Sequence, residues 1–284
     1  MISSGMMMIF DANNFMQFLS LNLWKGSYKD FFRIITHTEK LLLVFTPNPE
    51  MLLLASRKKE FLTILEKADF LVPDGNGLYV GSLMLEGKNF FSAVYRTYFS
   101  RKSISKKYGE LIKGSDLTKD IFQYSQKEKK GILILDNYRI SVAKNSFEKK
   151  KKEMQSQLLD RIKSKYPDTQ ITLFFDGEMS PDAIAHFIEI NNIAYVLSCI
   201  GMQKQESRLV EIFAYLPDTL GVVGMGVGSS IDYLVGIQKR APYLFQKLGL
   251  EWFYRLLSEP YKRGSRIWDA VIEFPRMILK SQGK

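Results

Sequence analysis

An α/β fold built on a doubly wound, mainly parallel, Rossmann-like sheet is what this 284-residue sequence predicts, and three features predict it. Short, apolar, β-rich runs recur from about Lys40 onward. Longer helical patterns separate most of them, which is the rhythm of βαβ units. The first run is almost wholly apolar rather than alternating, as a strand covered on both faces is. Ligands of such sheets bind at the carboxyl ends of the strands, so the loops directly after the runs are where chemistry is sought.

The first predicted strand is Leu41 to Thr46, followed by Thr46-Pro47-Asn48-Pro49-Glu50 and a helix from about Met51. Two prolines stiffen this turn and aim Thr46 and Asn48 at a polar ligand such as a sugar. Asn48 also suits a helix cap with Pro49 at the first helical position. The second strand, Phe70 to Val72, runs into Pro73-Asp74-Gly75-Asn76-Gly77 and another helix. Asp-Gly is a common turn signal, yet a carboxylate at a strand end can serve as a general base, so Asp74 is the leading catalytic candidate. Asp176, after the run Gln170 to Phe175, ranks below it.

Residues 89 to 113, rich in aromatic and basic side chains, read as an irregular insertion in a core spanning 1 to 239. Further strands are expected at Gly131 to Leu135, Ala194 to Ile200 and Leu220 to Val227. The last carries Gly224-Met225-Gly226-Val227-Gly228-Ser229-Ser230 into a helix holding Asp232, and its amides, including those of Gly226 and Gly228, suit a diphosphate. After Gly236 the rhythm stops. Residues 240 to 284 read as a basic, aromatic helical appendage, suited either to lying in a membrane interface or to packing as helices on the core.

Composition narrows the function. The net charge of +10 points to an anionic partner, whether nucleic acid, membrane or phosphorylated substrate. The single cysteine, Cys199, excludes an internal disulfide and a cysteine zinc cluster, favouring a cytoplasmic setting. Met1 to Phe10 lacks the marks of a signal peptide. No apolar run approaches the roughly 18 to 20 residues of a spanning helix, so any membrane contact is expected to be peripheral. No Walker motif, histidine-glutamate metal pair, GxSxG elbow or Asp-x-Asp pair is present, and no metal or cofactor is expected. No helix-turn-helix, RNA-binding or zinc signature supports nucleic-acid binding.

Read together, these loops and the tail resemble the WecG/TagA/CpsF family of glycosyltransferases from roughly Leu41 to Arg266. The strongest portion is Gly226-Val227-Gly228-Ser229-Ser230-Ile231-Asp232-Tyr233-Leu234-Val235-Gly236, then Lys239-Arg240-Ala241-Pro242, Leu248-Gly249-Leu250-Glu251-Trp252-Phe253-Tyr254-Arg255-Leu256-Leu257 and Glu259-Pro260. Thr46-Pro47-Asn48-Pro49-Glu50, Asp74-Gly75-Asn76-Gly77, Gly114-Ser115-Asp116-Leu117 and Lys204-Gln205-Glu206 fall in the family's order. The resemblance implies a metal-independent, inverting transfer of a hexosamine-type sugar from a UDP donor to a polyprenyl-diphosphate-linked acceptor sugar, at the inner face of an anionic bacterial membrane, in wall-polymer or surface-polysaccharide synthesis. It implies Asp74 as general base, Thr46 and Asn48 in the sugar pocket, Gln205 at the nucleotide sugar, and Arg255, Lys262 and Arg266 as tail cations near the diphosphate. Whether the chain forms a homo-oligomer is left open.

Three positions depart from the family's pattern: Leu111 where an arginine is usual, Asp136-Asn137 for a glycine pair, and Gln203 for a proline. Lys113, Arg96 or Arg101 can replace the missing cation. A sugar-nucleotide or polyprenyl-phosphate binding protein without transfer activity is the competing reading.

Overall fold

The structure, a computed structural model, describes residues 15–137 and 147–282. An eight-stranded sheet, in the order β1-β2-β4-β3-β8-β7-β5-β6, forms its centre. Its strands are β1 (Phe15–Phe18), β2 (Leu21–Trp24), β3 (Leu42–Phe45), β4 (Phe70–Leu71), β5 (Gly131–Asp136), β6 (Ile171–Phe175), β7 (Ile193–Ser198) and β8 (Val223–Gly226). From β2 to β6 every neighbouring pair is parallel; only β1 runs antiparallel, as a hairpin partner of β2. The six expected strands are all present, and the hairpin adds two that precede the apolar rhythm.

Helices cover both faces. They are α1 (Tyr28–Thr36), α2 (Pro49–Arg57), α3 (Lys59–Leu65), α4 (Gly77–Leu85), α5 (Phe90–Phe99), α6 (Arg101–Tyr108), α7 (Gly114–Glu128), α8 (Phe147–Lys165), α9 (Pro181–Ile190), α10 (Lys204–Phe213) and α11 (Ser230–Leu234). The segment expected to be irregular is therefore largely helical, as α5 and α6. Asn89 caps α5 by accepting from the Ser92 amide, and Ala93 and Thr97 bury its inner face.

Alternation along the strands divides the interior into two cores. Leu43 and Phe45 of β3 pack with Leu52, Phe61, Leu78 and Leu209 on one face. Leu42 and Val44 of the same strand pack with Phe31, Leu117, Ile162 and Ile231 on the other. Although β3 and β8 are adjacent, the helices that follow them therefore leave for opposite faces, α2 to the first and α11 to the second. Such a divergence opens a crevice at the strand ends.

The tail comprises α12 (Tyr243–Leu248), α13 (Glu251–Ser258), α14 (Pro260–Trp268), a π-helical turn (Asp269–Glu273) and α15 (Phe274–Gln282). It is not uniform. Phe274 and Ile278 of α15 are buried in the first core, with the Phe274 ring centroid 6.0 Å from that of Phe18. Tyr243, Leu257 and Tyr261 of α12 to α14 stay exposed. Among the described residues no helix is long and apolar enough to cross a membrane.

Candidate active site

The crevice is assembled from the ends of four strands. The hydroxyl of Thr46, just past β3, lies 3.4 Å from the carbonyl oxygen of Gly226 at the end of β8. Beside it, the amino end of the 15-residue α7 opens at Gly114, where a Cβ would stand 3.6 Å from Thr46 Oγ1 and 3.9 Å from Ser230 Oγ. That end carries the positive pole of the helix. Asp74, two residues beyond Val72, is held to the same loop by its amide, which donates to the Pro47 carbonyl at 3.0 Å. Its side chain is partly exposed.

Asn48 is a helix cap: its Oδ1 accepts from the Met51 amide at 2.9 Å, and Pro49 follows at the first turn of α2. Capping occupies the oxygen of its amide and leaves the NH₂ as the group to meet a ligand.

Gln205, in the first turn of α10 after β7, is buried. Its Oε1 accepts from the Gly228 amide at 3.1 Å while its Nε2 donates to Glu206 Oε1 at 2.7 Å. Gln205 thus clamps the glycine loop from beneath. Gly226 is required here for close approach, because a Cβ would lie 2.7 Å from Gln205 Nε2 and 3.0 Å from Glu206 Oε1. Glu206 is fully buried, and burial holds its carboxyl above the usual glutamate range despite donors from Gln205 and from the Gln203 amide.

Gln203, the departure from a family proline, has a local reason. Its φ of 72° lies in the left-handed region, and its amide donates to Glu206 Oε2 at 2.7 Å. Proline can do neither, since its ring holds φ near −65° and it has no N–H.

The tail cations are engaged with the core. Arg266 Nε lies 2.8 and 2.9 Å from the two carboxylate oxygens of Glu50. Lys113 pairs with Glu251 of α13, and Arg240 Nη1 lies 2.7 Å from Asp116 Oδ1. Asn76 Nδ2 donates to the Gly249 carbonyl at 3.3 Å, a contact that admits only glycine, because a Cβ there would collide with the amide and φ is 71°. The side chains of Arg255 and Lys262 lie outside the described residues; their backbones belong to α13 and α14. Leu111, at the family's usual arginine, is a half-buried part of the first core. Of its possible replacements, Lys113 is spent on Glu251, Arg96 is exposed on α5, and Arg101 borders a cavity described below.

Sequence reading had not singled out Asn76, Arg240 or Glu251 as site neighbours. Their motifs were visible, but only the tertiary fold joins them. Among the described residues no cluster of three or more His, Cys, Asp or Glu is placed to hold a metal ion.

A doubly wound sheet with polar loops gathered at its switch crevice is the arrangement in which open α/β sheets bind their ligands. The profile described as the glycosyl transferase WecG/TagA/CpsF family matches residues 16–104 and 97–283, and the chain belongs to that family. It is similar to the N-acetylglucosaminyldiphosphoundecaprenol N-acetyl-beta-D-mannosaminyltransferase of Bacillus subtilis (strain 168), 25% identical over 84% of this chain and 77% of the relative. The enzyme of the same name from Staphylococcus aureus (strain MRSA252) is 24% identical over 86% of this chain and 82% of its own.

Proposed function

We propose that this glycosyltransferase moves an N-acetylmannosamine-type sugar from a UDP donor to a sugar linked to polyprenyl diphosphate, with inversion and without a metal. The observation that carries the reading is the placement of Asp74 beside the Thr46 loop, where the β3 and β8 connections diverge. A carboxylate there is positioned to take the proton of an acceptor hydroxyl as its oxygen attacks the anomeric carbon. The bond from that carbon to the UDP oxygen breaks, and UDP leaves with the electron pair.

Other residues fit subordinate roles. The amino end of α7 offers hydrogen-bond donors to the diphosphate, whose charge grows as the sugar departs, whereas the Val227 and Gly228 amides, expected from the sequence to serve it, already donate to the Ser198 carbonyl and Gln205 Oε1. Thr46 and the Asn48 NH₂ face the sugar. The tail cations Arg255 and Lys262 complete the phosphate environment once the acceptor has docked, and Arg266 joins them by exchanging Glu50 for phosphate, so that turnover depends on the membrane surface at the inner leaflet. The relatives' acceptor, a diphosphoundecaprenol-linked sugar, supports a lipid-borne substrate here.

The test is UDP release from a panel of UDP-hexosamines with a short-chain polyprenyl-diphosphate-linked N-acetylglucosamine acceptor. Release that requires both substrates is expected; binding of UDP-sugars without release under any combination would overturn the transferase reading in favour of a binding protein.

A further inference from the structure

Helix α5 displays an aromatic face that no core packing explains. Phe91, Tyr95 and Phe99 follow one another at intervals of four residues, so they share one side of the helix, and they are 82%, 62% and 76% exposed. The Tyr95 and Phe99 rings stack at 4.8 Å. On the opposite side, Ala93 and Thr97 are buried, which fixes the helix to the protein and leaves the aromatics facing outward. The face continues onto α13, where Trp252 Nε1 lies 3.4 Å from the Tyr98 hydroxyl and Phe253 and Leu257 are exposed.

Between these two elements is a cavity of about 300 Å³, lined by Val94, Tyr95, Tyr98, Phe99 and Leu250, with Arg101 and Asn76 among its polar borders. Asn76, at the cavity's border, is two residues from Asp74 in the loop that follows β4.

The charge around α5 is predominantly basic. From 87 to 109 the chain carries Lys88, Arg96, Arg101, Lys102, Lys106 and Lys107 and no acidic residue, with Lys107 paired to Glu86 just before it. Two copies of such a surface would oppose like charges, whereas an anionic leaflet complements it. Aromatic rings with flanking cations are what a shallowly inserted interfacial helix presents.

We infer that α5 and the start of α13 form the surface by which the protein docks on an anionic bilayer, and that the cavity between them takes the polyprenyl chain of the acceptor. The second half of this inference rests on the proposed transferase reading; the first does not. Docking on α5 lets the lipid enter from the bilayer beside Asn76 with its diphosphate toward the crevice. The element is then not the carboxyl-terminal tail alone, as the basic composition of residues 240 to 284 had suggested, but a surface shared with the segment first read as an insertion.

Flotation of the full chain with phosphatidylcholine vesicles containing phosphatidylglycerol tests the docking. Because the three rings are exposed, the Phe91→Ser/Tyr95→Ser/Phe99→Ser variant is expected to keep its thermal transition while its vesicle affinity falls by about tenfold or more. Vesicle binding equal to that of the unchanged protein would overturn the docking surface. So would a lipid-free sedimentation profile in which the variant alone is monomeric and the unchanged chain is a dimer that ignores vesicles. Calorimetric titration with farnesyl diphosphate tests the cavity: Val94→Trp, which fills it, is expected to weaken binding, and equal affinity in both proteins would overturn that part. Neither measurement requires turnover, so failure of the docking and failure of the transferase reading are told apart.

Discussion

Arg266 Nε stands 2.8 and 2.9 Å from the two carboxylate oxygens of Glu50, which ties α14 to the first turn of α2. The Glu50 side chain is only 14% exposed while that of Arg266 is 47% exposed, so the pair lies at the surface with its carboxylate side turned inward. A half-exposed pair contributes about 0 to 1 kcal/mol. Arg266→Ala is expected to move the thermal midpoint little and to lower transfer to a lipid-linked acceptor; a large loss of stability with unchanged transfer would assign the residue to the fold alone.

Asp74→Asn keeps the shape of the loop and removes the proposed base. Transfer is expected to fall by about 10² to 10⁴, with UDP-sugar affinity retained in a calorimetric titration. A variant that transfers at the original rate would remove Asp74 from the mechanism.

Gly226→Ala would press a methyl group between Gln205 Nε2, 2.7 Å away, and Glu206 Oε1, 3.0 Å away. Both neighbours are buried and hydrogen-bonded, so neither yields freely. A destabilisation of about 1 to 3 kcal/mol is expected in urea unfolding, and loss of the Gln205 clamp on Gly228 should weaken nucleotide binding with it.

The buried Glu206 makes stability depend on pH in a defined direction. Burial raises its pKa in the folded state, so the folded chain holds the proton more tightly than the unfolded one. The sign follows: its contribution is most favourable at pH below the ordinary glutamate value and declines as pH rises from there through the raised folded value. Glu206→Gln should abolish that part of the slope in denaturation series across this window, although it also costs stability by leaving one of the two donors, Gln203 N–H or Gln205 Nε2, without an acceptor. An unaltered slope would assign the pH dependence to other groups.

Restoring the family residue at Gln203 should be harmful here. Gln203→Pro removes the amide that reaches Glu206 and cannot adopt a φ of 72°, at an expected cost of about 1 to 3 kcal/mol from the donor lost to a buried carboxyl. Circular dichroism melting measures it; a neutral result would mean that the turn has a second conformation of equal stability.

Much of the architecture was legible because it rests on local signals. Apolar runs such as Leu42-Leu43-Val44-Phe45 are recognisable as strands buried on both faces, and Asn48-Pro49 is recognisable as a cap with proline behind it. The hairpin of β1 and β2 was not legible, because four-residue strands with weak alternation carry little periodic signal. The segment from 89 to 113 was misread because its exposed aromatics blur the pattern that marks an amphipathic helix; Ala93 and Thr97, the small residues that bury its inner face, are weak markers.

The sequence by itself determined the six strands from β3 to β8, the parallel sheet they form, the family motifs and the position of Asp74 at a strand end. Tertiary structure alone decided that β3 and β8 are neighbours whose helices diverge, that Gln205 serves the glycine loop from below, and that Lys113, Arg240 and Arg266 spend their charge on Glu251, Asp116 and Glu50. The division has a physical reason. Strand and cap signals arise from interactions between residues a few positions apart, whereas strand order, ion pairing across 138 or 216 positions and the cavity behind α5 depend on which distant surfaces bury one another, and no short window of sequence contains both partners.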